Sequence, residues 1–161
     1  LNGGYIMPAW YDIRHGGFGI KHDEKGIRRS ARQIQMLIEQ EQMHGIASGR
    51  IILAGFSQGG AMALHVGLRQ NDALAGIMGL SCYLLLPDRF DEEVTPISKA
   101  SPIFMAHGVE DPTVPFALGD ATRRRLESAG YKVEWHTYPI QHHVCPEEIA
   151  AIGKWIARCL I

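Results

Sequence analysis

The chain has 161 residues, 46% hydrophobic and 20% charged, with 16 Lys and Arg against 17 Asp and Glu for a net charge of −1. That length supports one domain with a sizeable core, and the charge balance gives no bulk attraction to nucleic acid or to an anionic membrane. No apolar run is long enough for stable membrane insertion, and the three cysteines (82, 145 and 159) suit a reducing, cytoplasmic compartment rather than a disulfide framework.

Residues 1–22 are rich in glycine and aromatics and read as a long irregular segment. A helix is expected from Asp23 to Met43, with Ile27, Ala31, Ile34 and Ile38 on one apolar stripe. Residues 50–55 read as a strand and 58–70 as a helix. Further strands are expected at 75–80, 102–107 and 132–138, and a helix at 116–129 ended by Gly130. The last helix runs from Pro146 to Leu160, with Ile149, Ile152, Ile156 and Leu160 as its buried stripe. Short apolar strands alternating with helices predict an α/β fold, a mostly parallel sheet with helices on both faces. The basic run Arg123-Arg124-Arg125 reads as a solvated helix face.

Gly55-Phe56-Ser57-Gln58-Gly59 is a G-x-S-x-G pentapeptide between a strand-like and a helix-like run. In that context the serine hydroxyl is pushed out of the sheet at a sharp turn, and Gly55 and Gly59 are expected to remove Cβ clashes. The following helix start offers N–H groups and a positive dipole end to a developing oxyanion. The plainer alternative is an ordinary glycine-rich turn.

A serine nucleophile needs a base, and the base needs an orienting acid. Asp111 lies in the loop Gly108–Pro115 after the strand at 102–107 and is the expected acid, with Glu110 its rival and a simple Asp-Pro turn the plainer reading. The base is expected after the last strand, where His142 and His143 are adjacent and the pattern alone does not separate them. The histidines at 15, 22, 44, 65, 107 and 136 read as surface or structural. His142, His143, Cys145 and Glu147 lack a second ligand group elsewhere, so no metal site is expected.

These residues carry a resemblance. Gly55 through Ala61, His107-Gly108 through Asp111-Pro112 to Val114-Pro115, and Tyr138-Pro139 through His142 to Ile149 are similar to the carboxylesterase and acyl-protein thioesterase family of α/β hydrolases. The opening Asn2-Gly3-Gly4-Tyr5 through Ile13, and Leu80-Ser81-Cys82-Tyr83-Leu84, resemble further signatures of that family. The resemblance implies Ser57 as nucleophile, Asp111 as acid, His142 rather than His143 as base, and the Gln58 N–H as an oxyanion donor. It implies that Trp10, Ser81, Tyr83 and Leu84 border an acyl groove, although an apolar run such as Tyr83 to Leu86 also suits a core.

The implied activity is hydrolysis of carboxylic esters of short to medium acyl chains through an acyl-enzyme, without a cofactor. Lysophospholipase and acyl-protein thioesterase activities are the alternatives on the same scaffold. The implied substrate partner is a small ester or an acyl thioester, and a homodimer is a further expectation. Family members carry an earlier strand and a His-Gly-x-Gly type loop, and His15-Gly16-Gly17 does not match that loop. Residues 1–161 are therefore expected to be the C-terminal majority of a single domain. The strand at 50–55 is then expected to be central, with its neighbours and a second oxyanion donor supplied by a preceding segment or a companion chain. An inert fragment with an incomplete oxyanion hole is the remaining alternative.

Overall fold

The computed structural model describes residues 7–15 and 20–161. The signature at Asn2 to Tyr5 and the glycines at 16, 17 and 19 lie outside the described residues. The segment read as irregular contains a short antiparallel pair, β1 (Ile13–His15) and β2 (Ile20–His22), in register Ile13 to His22. The alternation that marks a longer strand is absent from three-residue pairs, so the sequence did not announce them.

Helix α1 (Glu24–Met43) starts one residue after its cap, where the Asp23 side chain accepts the N–H of Gly26. Ile27, Ile34 and Ile38 are buried as the periodicity requires, and Ala31 is half-buried. A short 3-10 turn at Ser48–Arg50 leads into β3 (Ile52–Phe56). Helix α2 (Gln58–Gly67), β4 (Gly76–Leu80) and the short α3 (Phe90–Glu93) follow. They precede β5 (Ile103–Gly108), α4 (Phe116–Ser128), β6 (Val133–Tyr138) and α5 (Pro146–Leu160). Among the described residues no helix is long and apolar enough to cross a membrane.

The sheet is parallel, in the order β3-β4-β5-β6. Its register aligns Phe56 with Leu80, Leu80 with Ala106, and Gly108 with Tyr138, so the loops that follow β3 to β6 open at one end of the sheet. Among the described strands β3 lies at the edge of the sheet, with Ile52 and Leu53 half-buried and Phe56 37% exposed.

Period-two alternation sorts the central strands between two cores. Ile77, Ile103 and Met105 point into a large cluster with side chains of α1, α2 and α4. Met78, Leu80, Phe104 and Ala106 point the other way and pack with Trp155 of α5. Helices on both faces leave β4 and β5 buried along their whole length, which is why both read as unbroken apolar runs.

The stripe expected on α5 is met at Ile152 and Ile156, half-buried against the cluster around Trp155, and corrected at its two ends. Ile149 is 58% exposed and Leu160 37% exposed, whereas Glu148 and Trp155 are buried. Trp155 fits because Gly76 lacks a side chain: a Cβ there would stand 2.3 Å from the indole Cη2. The largest ring sets the helix rotation, and the isoleucines take what remains. Trp155→Ala is expected to destabilise the fold by about 3–5 kcal/mol, measured by urea unfolding. A loss below about 1 kcal/mol would mean that α5 is not anchored there.

Candidate functional site

Ser57 stands between β3 and α2 with φ 55° and ψ −121°. A non-glycine residue at positive φ is strained, and the strain persists only where its surroundings impose it. Gly55 is the enforcing residue, since a Cβ there would lie 2.2 Å from the backbone of Gly59. The second essential absence is at Gly60, whose Cβ would meet Gly55 O at 2.8 Å and Cys82 Cβ at 3.0 Å. Gly59 was expected to share that task, but a Cβ there would meet only Trp10 Nε1 at 3.7 Å. The Ser57 N–H donates to Leu80 O at 2.8 Å, tying the turn to the end of β4.

Ser57 is the N-cap residue of α2, yet its side chain makes no capping hydrogen bond. The hydroxyl instead meets His142 Nε2 at 3.0 Å. His142 Nδ1 meets Asp111 Oδ2 at 2.6 Å. The ring of Phe56 packs on His142 with centroids 4.8 Å apart. The structure therefore joins Ser57, His142 and Asp111, which are separated by up to 85 positions in the chain. His143 and Glu110, the neighbours that competed on sequence, are both exposed.

Asp111 is held from three directions. Its Oδ1 accepts the N–H groups of Thr113 at 2.8 Å and Val114 at 2.9 Å. Burial alone would raise the carboxyl pKa, but the hydrogen bonds from His142, Val114 and Thr113 outweigh it and hold Asp111 below the usual carboxylate range. His107 was read as a structural or surface histidine, and it is buried beside the acid. Its Nε2 lies 2.9 Å from Val114 O and 3.6 Å from Asp111 Oδ2. Its position at the C-terminal end of β5 was the available signal. Among the described residues no group of three His, Cys, Asp or Glu side chains could hold a metal ion.

The backbone N–H of Gln58 opens α2 and so has no acceptor within the helix. The Gln58 side chain has a role that the sequence did not reveal: it accepts from Trp10 N at 3.2 Å and donates to Tyr11 O at 3.1 Å. The segment before α1 is thereby pinned to the serine turn. Tyr11 and Tyr83 hydroxyls meet at 3.2 Å in the core, and burial, with Tyr83 beside it, pushes the Tyr11 phenol strongly upward.

The expected groove residues separate into three environments. Tyr83 and Leu84 belong to the core and also line a cavity of about 380 Å³ with Pro87, Leu118, Ala121 and Thr122. Trp10 is 40% exposed and lines a different cavity with Arg29, Ser30 and Gln33. Ser81 is buried at φ 46°, and its hydroxyl has no hydrogen-bond partner among the described residues. Leu85 and Leu86 are buried in the core.

The depressed pKa of Asp111 fixes a pH dependence. Its ionised form contributes stability that is fully present above the ordinary carboxylate value and is lost as pH falls through the depressed one. Asp111→Asn is expected to lower Tm at neutral pH, with the gap to the parent protein closing in acid. A gap unchanged from neutral to acidic pH would remove the charge from the account of this loop.

A sequence profile described as phospholipase/carboxylesterase matches residues 1–160. The chain is 40% identical to acyl-protein thioesterase 1 of Gibberella zeae over 168 residues, covering 99% of this chain and 72% of that protein. It is 44% identical to acyl-protein thioesterase 1 of Neurospora crassa over 171 residues, covering 99% of this chain and 68% of that protein. Among solved structures, Arabidopsis thaliana SOBER1 superposes with a TM-score of 0.91 at 28% identity, covering 99% of this chain and 78% of the other. Acyl-protein thioesterase 2 of Zea mays shares the fold with a TM-score of 0.83 at 23% identity, covering 95% of this chain and 73% of the other.

Proposed function

The chain belongs to the phospholipase/carboxylesterase family of hydrolases, and on that premise we propose that it hydrolyses acyl thioesters with Ser57 as nucleophile. The observation that carries the reading is the hydrogen-bonded series Ser57–His142–Asp111, at 3.0 and 2.6 Å. The sequence pointed first to simple carboxylic esters. The names of the relatives at 40% and 44% identity favour the thioester alternative.

Ser57 Oγ attacks the acyl carbonyl carbon while His142 Nε2 takes its proton. Asp111, ionised and already bonded to Nδ1, holds the imidazole in the tautomer that leaves Nε2 free to accept, and then stabilises the imidazolium. The Gln58 N–H, at the positive end of α2, donates to the oxyanion. Collapse of the tetrahedral intermediate breaks the C–S bond, and His142 returns the proton to the departing sulfur. Water, deprotonated by His142, then attacks the Ser57 ester; the second tetrahedral intermediate breaks its C–Oγ bond, His142 returns the proton to Ser57 Oγ, and the free acid leaves.

The cavity lined by Tyr83, Leu84, Pro87, Leu118, Ala121, Thr122 and Arg125 is predominantly apolar, and its lining suits an acyl chain with one cationic group at the wall. Thioesters and oxygen esters share the acyl half, so turnover of both is expected.

The first test compares an acyl thioester with p-nitrophenyl esters of increasing chain length. Ser57→Ala is expected to lower kcat about 10⁴-fold or more with Tm nearly unchanged, and survival of most turnover would reject the nucleophile. His142→Ala is expected to cost far more activity than His143→Ala, and the reverse ranking would move the base to the neighbouring ring. Ala121→Trp should slow long-chain substrates while sparing acetyl esters. An equal effect on both would place the acyl chain elsewhere.

A further inference from the structure

Between α1 and the C-terminal end of α2 lies a cavity of about 260 Å³, away from the Ser57 turn, with Arg28, Arg32, Gln35, His65, Arg69 and Gln70 as its polar lining. Among the described residues no carboxylate lines it. Arg28 and Arg32 stand one turn apart on α1, and Arg69 follows Leu68, the C-cap of α2.

The three guanidiniums are unevenly neutralised. Arg28 pairs with Glu24 at 2.7 Å and with Glu93 at 2.6 Å. Arg69 donates from Nε to the same Glu93 at 2.9 Å and from Nη1 to the His65 carbonyl at 2.8 Å. Its Nη2 is buried without an acceptor among the described residues. Arg32 makes no ion pair among the described residues. One buried-side carboxylate thus serves two arginines, and Glu24 is exposed. Burial pulls the Arg69 pKa down, and the Arg28 charge beside it adds to the lowering although Glu93 opposes it. Positive charge is in excess in this wall.

A helix C-terminus ordinarily repels an anion, because its last carbonyls carry the negative end of the dipole. Here those carbonyls are occupied. Arg69 bonds His65 O, and Gln70 Nε2 bonds Val66 O at 3.1 Å. Gln70 also donates to Gln35 Oε1 at 2.7 Å, which fixes the two amides against each other.

We propose that this cavity binds the dianion of a soluble phosphate monoester. Guanidinium forks match phosphate oxygens in pairs. Three of them from two chain segments suit a tetrahedral group with three terminal oxygens, whereas a planar carboxylate offers two. The volume equals that of about nine water molecules, room for the phosphate and part of the organic group it carries. A buried N–H without an acceptor and a shared carboxylate are both costly, and an anion in the cavity compensates that charge. The bound anion ties α1 to α2, whose first residue is Gln58, next to Ser57. Binding itself does not depend on the hydrolase reading.

The test is isothermal titration calorimetry at constant ionic strength with inorganic phosphate, glycerol 3-phosphate and glycerophosphocholine. The first two are expected to bind saturably and to raise Tm with concentration. Glycerophosphocholine, a diester without net charge that stands for a lipid headgroup, is expected to bind about tenfold more weakly or worse. Arg69→Met and Arg32→Gln are each expected to lower phosphate affinity about tenfold or more. Arg69 also holds Glu93 and the end of α2, so Arg32→Gln, which removes no ion pair seen among the described residues, is the deciding variant. Arg29→Gln, outside the cavity, should leave the affinity unchanged. The proposal is overturned by absence of saturable phosphate binding up to about 10 mM, by equal binding of the diester, or by unchanged affinity of Arg32→Gln. An equal loss in Arg29→Gln would also overturn it, by reducing the attraction to the diffuse charge of the helix.

Discussion

The backbone of Gly55 and that of Gly59 approach so closely that no Cβ fits between them, and the site is arranged around this contact. It forces Ser57 into positive φ and turns the chain sharply from β3 into α2. A serine at a relaxed helix start would spend its hydroxyl on the helix's own N–H groups. Here the strained conformation withholds that bond and presents the oxygen to His142. The helix gives up a cap, and the hydroxyl is left free to react. Cys82 closes the arrangement from below, fully buried against Gly60 and Gly79. Burial pushes its thiol up to about 12, so it serves as a small apolar filler rather than as a nucleophile.

The second constraint is electrostatic. A carboxylate taken out of water is costly unless hydrogen bonds replace its hydration. Asp111 meets that cost with two backbone N–H groups of its own loop and with His142. The loop is in turn held by His107, whose ring bonds the carbonyl of Val114. His107 itself sits under the edge of Phe116 and against Gly119, where a Cβ would stand 2.2 Å from Nδ1. The position of the acid is therefore decided by packing two layers beneath it. The same logic explains why Asp111 and not Glu110 meets the imidazole: only the former points into the protein at the end of β5.

The surface shows how little a net charge reveals. Helix α4 neutralises its arginines in place with Asp120, Glu127 and Asp91. Helix α1 pairs Arg28 with Glu24 and with Glu93, while among the described residues Arg29 and Arg32 on its outer face make no ion pair. Pairing of this kind depends on side chains three and four positions apart on a helix, and on neighbours brought in by the fold.

The α/β class was legible in the sequence because β4 and β5, buried on both faces, must be apolar throughout, and because helices must carry a stripe. The serine turn was legible because strained backbone requires glycine, and Asp111 because such loops follow strands. The choice of His142 over His143 came from resemblance, since two adjacent imidazoles look alike in one dimension. Tertiary structure alone decided the remainder. It turned α5 so that Trp155 rather than Ile149 is buried, and made Gly60 rather than Gly59 the second position with no room for a Cβ. It also brought His107 beneath the acid and Gln58 against Trp10 and Tyr11. Local pattern records which residues prefer water and which turns need glycine. Contacts between positions tens of residues apart depend on volumes and directions that exist only once the layers have packed.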